Sequence, residues 1–244
     1  MIRLVCFDLD ETLLDDNTSY ELSVQRVSAG LSSAYADFDF TNLLERYHVL
    51  SQAYWQEVAE AVMNGSLSGE EVRLEGWRRA LVACGCDRPE IAREALDEYS
   101  RHRLATYTLF DDALDTLRTL RPTVRLAVIT NGSSLTQRQK LESTDLLSHV
   151  DAVAISADLG VAKPDPSIFR HVLNELAIEC QEAIHIGDKL DSDIVGARVA
   201  GFRAGVWLNR YGLSRAAEND APNFEIASLR EVPDLLGHMR DQEI

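Results

Sequence analysis

The chain has 244 residues, 45% of them hydrophobic, and a formal net charge of −16. That length and composition suit one large domain, or a core carrying an inserted subdomain, with enough apolar surface for a normal core. The charge excludes a surface built for nucleic acid or anionic membrane, no apolar run reaches bilayer length, and no basic stretch precedes an apolar one as in a signal peptide.

The first element is a buried-strand pattern, Ile2-Arg3-Leu4-Val5-Cys6-Phe7, running into Asp8-Leu9-Asp10-Glu11-Thr12. Carboxylates at the end of an apolar strand are costly without solvation or a counter-ion. If the strand continues, Asp8 and Asp10 share one face and Glu11 projects from the other. From about Leu13 to Tyr107 the pattern is helical. Leu44, Tyr47, Tyr54, Val58, Ala61 and Val62 form an apolar stripe, broken at Asn64-Gly65-Ser66. Ser68 followed by Glu70 and Glu71 reads as a capped helix start, and that helix stops at Cys84-Gly85-Cys86. The next begins at Arg88-Pro89 and reaches about Arg103. The spacing of Cys84 and Cys86 lacks a second Cys/His pair, so no zinc site is read there. With Cys6 and Cys180 they are expected as reduced thiols of a cytoplasmic protein.

From Leu109 helices and strands alternate. A helix over Asp111–Leu120 precedes a strand, Arg125–Ile129, ending in Thr130-Asn131-Gly132. A helix over Leu135–Leu141 precedes Ala152–Ile155, and a helix over Ser167–Leu176 precedes Ala183–Ile186, which ends in Gly187-Asp188. A helix over Ile194–Ala200 leads to Arg203–Trp207, and Phe224–Ile226 makes a short sixth strand. Repeated β-α units predict an α/β fold, a doubly wound parallel sheet with helices on both faces. Its domains are a core of residues 1–15 and 107–244 and a helical insert, residues 16–106.

In such a sheet the carboxyl ends of the strands converge on one edge, so four polar clusters can share a pocket. Two acids at a strand end suggest a hard cation. Asp8 is either a turn residue or a nucleophile toward phosphorus, and Asp10 either caps the turn or moves a proton to and from oxygen. Thr12 and Thr130 offer hydroxyls to phosphoryl oxygens. Asn131-Gly132 is a common turn signal whose N–H groups can also line an anion pocket. Lys163 is one of only three lysines, with Lys140 and Lys189, and its ammonium can neutralise nucleophile and phosphate alike. Asp188 is the best-placed metal ligand, Asp193 supports from behind, and Asp191 suits the cap of the next helix.

These clusters, in this order, resemble the haloacid dehalogenase superfamily of hydrolases. Asp8-Leu9-Asp10-Glu11-Thr12-Leu13 is similar to its first motif, with Glu11 where glycine is most familiar. Ile129–Gly132, Gly160–Pro166 and Gly187–Asp193 are similar to the second, third and fourth. The resemblance implies a Rossmann-like core with a helical cap of subclass I. It also implies Mg2+ held by Asp8, the Asp10 carbonyl and Asp188, a phospho-Asp8 intermediate, and Lys163 as charge stabiliser. Members that cleave carbon–halogen bonds generally lack an Asp at the position of Asp10, so a phosphatase is expected. Its substrate is a small phosphorylated metabolite, a nucleotide or a sugar phosphate. A sugar phosphomutase or a haloacid dehalogenase is the alternative within the superfamily, and a receiver-like phosphate-signalling module the alternative outside it. The expected form is a monomer or homodimer, with the cap closing over the site.

Overall fold

The computed structural model describes residues 1–63, 66–214 and 221–241. The break expected at Asn64-Gly65 lies outside them. The chain divides into two compact units, Met1–Asp15 with Thr108–Ile244, and Asp16–Tyr107.

The first unit is an α/β sheet domain. Its strands are β1 (Leu4–Phe7), β2 (Arg125–Thr130), β3 (Ala152–Ile155), β4 (Ala183–Gly187), β5 (Ala204–Leu208) and β6 (Phe224–Ile226). All pair in parallel, in the order β3-β2-β1-β4-β5-β6. Strands β1, β4 and β5 are buried at every residue, which explains their apolar runs, interrupted only at His185 of β4. Leu4, Cys6, Ala127, Ile129 and Ala154 pack one face against Ile168, Phe169 and Val172 of α9 (Pro166–Leu176) and Ala197 of α10 (Val195–Ala200). Val5, Phe7, Leu126, Val128, Ile184 and Ile186 alternate to the other face and are also fully buried. Helix α6 (Ala113–Leu120) packs against β2 and also against α11 (Val232–Asp241), a helix the sequence reading did not anticipate. Two short connecting helices, α7 (Ser134–Ser143) and α8 (Ser156–Leu159), follow β2 and β3.

The segments leaving and re-entering this unit pair with each other. Asp15 N–H donates to the Thr108 carbonyl at 2.9 Å and Phe110 N–H to the Leu13 carbonyl at 3.0 Å. Arg210 reinforces the join: it grips both oxygens of Asp112 at 2.8 Å, donates to the Thr12 carbonyl at 2.9 Å and covers the Phe110 ring.

The second unit is helical: α1 (Asp16–Ala34), α2 (Leu43–Glu57), α3 (Ala59–Met63), α4 (Gly69–Ala83) and α5 (Pro89–Thr106). Val24, Val27, Leu31, Leu43, Tyr47, Trp77, Leu81, Ile91 and Leu96 form its core, with Tyr47 and Trp77 stacked 3.8 Å apart. The predicted stripe is only partly buried. On α2 the buried side chains are Leu43, Tyr47 and Ser51, while Tyr54 lies half-exposed beneath the Arg79 guanidinium. The cation covers the ring, so packing does not need it inside. Arg103, nearly buried, is paired with Asp16 and also donates to the Asp16 carbonyl at 3.0 Å.

Helix α4 begins with a full capping box. Glu71 N–H donates to Ser68 Oγ at 3.2 Å, and Ser68 N–H to Glu71 Oε2 at 2.8 Å. Replacing Ser68 by Ala should lower stability by about 1 kcal/mol, the usual worth of a cap. Urea unfolding followed by circular dichroism checks this; an unchanged midpoint contradicts the assignment.

Candidate active site

Strands β1 and β4 are neighbours at the centre of the sheet, one followed by a crossover to β2 and the other by a crossover to β5. The strand order reverses between them, so Asp8 and Asp188 emerge side by side in the crevice where α/β sheets bind ligands. Asp8 N–H still pairs with the Ile186 carbonyl at 2.9 Å.

The chain does not continue as a strand beyond Asp8. The Leu9 carbonyl accepts N–H groups from Thr12, Leu13 and Leu14, at 3.4, 2.9 and 2.9 Å, and this curls the chain into a turn. Glu11 sits in the left-handed region at φ 60°, its carboxylate accepting the Tyr211 hydroxyl at 2.8 Å. This corrects the expectation of an extended Glu11 opposite two aspartates on a common face. A left-handed residue disfavours any side chain, which is the physical reason for glycine there.

Lys163, reaching in from the loop before α9, is the centre of the cluster. Its ammonium lies 2.6 Å from Asp8 Oδ1 and 2.7 Å from Asp193 Oδ1. The Asn131 amide clamps the Lys163 backbone from both sides, accepting its N–H at 2.8 Å and donating to its carbonyl at 3.0 Å. The Gly132 N–H donates to Ser156 Oγ at 2.9 Å, so a side chain of the fold engages the N–H expected to face an anion.

Asp193 is fully buried within the π-helical turn Leu190–Ile194, and such turns recur at functional sites. Its oxygens take Lys163, the Lys189 N–H at 3.1 Å and His185 Nε2 at 2.9 Å. A carboxylate only accepts, so Nε2 carries a proton, and burial pushes the imidazole pKa down and favours the neutral ring, in which Nδ1, without a partner among the described residues, carries none. Asp193 rather than Asp191 organises this turn. Asp191, expected to cap the next helix, lies inside the turn Leu190–Ile194, whose N-cap position is Lys189 with no side-chain cap hydrogen bond.

Asp10 lies outside this set. Lys140 Nζ is 2.8 Å from each of its oxygens, and Gln137 Nε2 donates to it at 3.1 Å. The same Gln137 amide donates to Thr130 Oγ1 at 2.6 Å. The Thr12 hydroxyl is buried with no partner among the described residues, while its carbonyl takes Arg210. Of the expected residues, the structure thus joins Asp8, Lys163, Asp188 and Asp193 in one cluster. It joins Asp10 to Thr130 through Gln137, and Asn131 to Lys163. Sequence reading missed Gln137, Lys140, His185 and Arg210. The one available signal was Lys140, a rare lysine three positions beyond Gln137 on a short helix.

The electrostatics are unbalanced. One oxygen from each of Asp8, Asp188 and Asp193 fits within 4.8 Å. Two carboxylates that close repel by about 3–4 kcal/mol at an effective dielectric of ~20. Burial would raise Asp193, but the Lys163 ammonium and His185 hold it well below the usual range. Burial also opposes the charge on Lys163, which Asp193 and Asp8 more than restore. Asp8 is pushed up to about 6 by burial, against the pull of Lys163. Burial, then repulsion from Asp8 and Asp193, pushes Asp188 up to about 8. One oxygen of Asp188, Oδ1, is buried with no hydrogen-bond partner among the described residues. An orphaned carboxylate oxygen beside a second acid is a hard, oxygen-only donor set, and it fits a divalent cation. Asp193, with its oxygens already engaged, fits the supporting layer instead.

Gly187 is required by this packing. A Cβ there would lie 2.2 Å from Asp193 Cγ. Gly187→Ala should displace Asp193 and, through it, Lys163. The expected result is loss of hydrolytic activity in a chain that still folds, read by assay and circular dichroism together. Wild-type activity would show that the Asp193 position is not needed.

A family profile described as haloacid dehalogenase-like hydrolase matches residues 2–201. N-acylneuraminate-9-phosphatase of Mus musculus is 31% identical over 238 residues, covering 96% of this chain and 94% of that protein. Phosphoserine phosphatase of Thermus thermophilus is 32% identical over 247 residues, covering 95% and 98%. Among solved structures, the putative HAD-hydrolase YfnB of Bacillus subtilis, bound to magnesium, aligns with a TM-score of 0.76 at 25% identity, covering 96% and 98%. The matched span contains the Asp8 turn, the Thr130-Asn131 strand end, Lys163 and the Asp188–Asp193 turn, and on this evidence the chain belongs to the haloacid dehalogenase-like hydrolase family.

Proposed function

We propose that this protein is a divalent-cation-dependent phosphoric monoester hydrolase acting on a small phosphorylated metabolite through a phospho-Asp8 intermediate. The observation that carries the reading is the Asp8 carboxylate, paired with the Lys163 ammonium at 2.6 Å beside the orphaned oxygen of Asp188.

Lys163 and the Leu9 N–H, at 2.7 Å, both engage Asp8 Oδ1. Oδ2 is then the oxygen for attack on phosphorus. As the Asp8–phosphorus bond forms, the ester bond breaks, and Asp10, entering this step as the neutral acid, gives its proton to the leaving oxygen, which departs as the alcohol and leaves Asp10 ionised. Asp10 next takes a proton from water, whose oxygen attacks phosphorus, breaks the Asp8–phosphorus bond and releases phosphate. Thr12 and Thr130 are assigned to the phosphoryl oxygens. Lys163 holds Asp8 ionised and faces the growing negative charge. Mg2+, with Asp8, the Asp10 carbonyl and Asp188 as its ligands, would neutralise charge on the transferred group. Asp193 and His185 fix Lys163.

Asp10 also separates ester hydrolysis from carbon–halogen cleavage. A halide leaves as a stable anion and needs no proton, whereas an alkoxide does. The unit Asp16–Tyr107, inserted between the first and second motifs, is read as the cap that selects the substrate. Relatives named for N-acylneuraminate 9-phosphate, phosphoserine, pyrimidine 5′-nucleotides and glyceraldehyde 3-phosphate support the class of small phosphate monoesters.

Asp8→Asn should reduce hydrolysis of p-nitrophenyl phosphate to background with Mg2+ present; retained turnover removes Asp8 as nucleophile. Treatment with EDTA should abolish activity and added Mg2+ restore it, and full activity in EDTA would contradict a metal requirement. A screen across sugar-acid phosphates, phosphoserine and nucleoside monophosphates at neutral pH should find a substrate turned over far faster than the aryl ester. Inactivity on every phosphate monoester would overturn the reading.

A further inference from the structure

The mechanism above gives no part to two buried polar side chains that reach the reacting groups. Gln137 and Lys140 stand three residues apart on α7, hence on one helix face, and both are almost fully buried. A buried ammonium needs an anionic partner. Lys140 finds one in Asp10, at 2.8 Å to each oxygen, and Gln137 bridges Asp10 to the Thr130 hydroxyl. Asp10 needs such support. It lies on the turn beyond β1, outside the regular sheet, and its side chain keeps partial solvent exposure. Nothing in the sheet ladder therefore sets its carboxylate, whereas α7 approaches it with two donors in fixed geometry. Gly132 makes room for the bridge: it adopts φ +147°, and a Cβ there would sit 3.0–3.3 Å from the Gln137 side chain.

We propose that Lys140 and Gln137 are positioning residues that hold the Asp10 carboxyl group where it gives its proton to the leaving-group oxygen and, once ionised, takes one from water, and that Gln137 ties this position to Thr130. The proposal rests on Asp10 being the acid–base group. It predicts a selective defect. An ester whose alcohol leaves readily as an anion needs little protonation, while an alkyl ester needs it fully.

The test is a leaving-group series, p-nitrophenyl, phenyl and a simple alkyl phosphate, with kcat/KM measured for wild type, Lys140→Met, Gln137→Met and Asp10→Asn, each with Mg2+. Lys140→Met should lose about tenfold on the p-nitrophenyl ester and about 10²–10³-fold on the alkyl ester, within the range that positioned proton transfer supplies. Gln137→Met should bend the series the same way by less. Lys140→Arg, which keeps the charge, should restore part of the lost alkyl-ester rate. Adding Lys140→Met to Asp10→Asn should cost little more than Asp10→Asn alone, because the two act as a unit.

An equal loss across all three esters, or an undiminished Lys140→Met effect in the Asp10→Asn background, would overturn the proposal and assign Lys140 to the fold alone. Far-UV circular dichroism accompanies each variant. Should Lys140→Met not fold, Gln137→Met decides by the same slope. A wild-type slope in Asp10→Asn itself would instead overturn the acid–base reading of Asp10, a result distinct from failure of the positioning pair.

Discussion

One ammonium, Lys163 Nζ, is shared between the carboxylates of Asp8 and Asp193 just inside the rim of the sheet, and the rest of the site is arranged to keep it there. Buried ion pairs of this kind add little net stability, but removing one partner strands the other, at about 3–5 kcal/mol. The fold supports the lysine from three directions. Asn131 clamps its backbone, Asp193 receives its charge, and His185 with the Lys189 N–H holds Asp193. The bare Cα of Gly187 lets Asp193 lie close enough to do so. All four polar segments are thereby tied together directly, and the Thr130-Asn131 segment carries a further link to Asp10 through Gln137.

This arrangement leaves more negative charge than the protein itself neutralises. Asp8 and Asp188 are both displaced upward by burial and by neighbouring acids, and Asp188 keeps one buried oxygen without a donor among the described residues. In the proposed mechanism that surplus is what attracts a divalent cation and, with it, a phosphoryl group. The strongly acidic chain carries no general attraction for phosphate, so the local cations have to supply it. In that mechanism the same crowding that makes the cluster costly in the folded protein suits it to a small, hard, doubly charged ion.

The sheet was legible in the sequence because fully buried parallel strands leave near-continuous apolar runs that stop where the chain meets the pocket, as at Phe7-Asp8 and Gly187-Asp188. Lys163 and Asp188 were legible for the same reason: a charged residue just past such a run or in a crossover loop is conspicuous. Other features depended on information that sequence patterns do not carry. The turn after Asp8 arises from one carbonyl, Leu9, gathering three N–H groups, which no alternation of side chains signals. The sequence separates Asp193, as support behind the site, from Asp191, as a helix cap; the π-helical turn, which no acid pattern signals, takes the cap role from Asp191, while Asp193 packs against Gly187 and His185. His185 reads as a polar interruption in a strand, and Gln137 and Lys140 as the wet face of a short helix. Gln137 and Lys140 are buried against Asp10, which is distant in sequence, and His185 against Asp193, eight residues on, across a π-helical turn that side-chain patterns do not signal. The stripe through Tyr54 failed because a cation, not the core, covers that ring.

The central claim is that the Asp8 carboxylate becomes covalently bonded to phosphorus, and trapping that bond tests it most directly. Wild-type protein mixed with Mg2+ and excess p-nitrophenyl phosphate, quenched in acid during turnover and digested, should yield one peptide heavier by a single phosphoryl group. Fragmentation should place that group on Asp8. Rapid turnover with no such adduct, or an adduct on any other residue, would contradict the account.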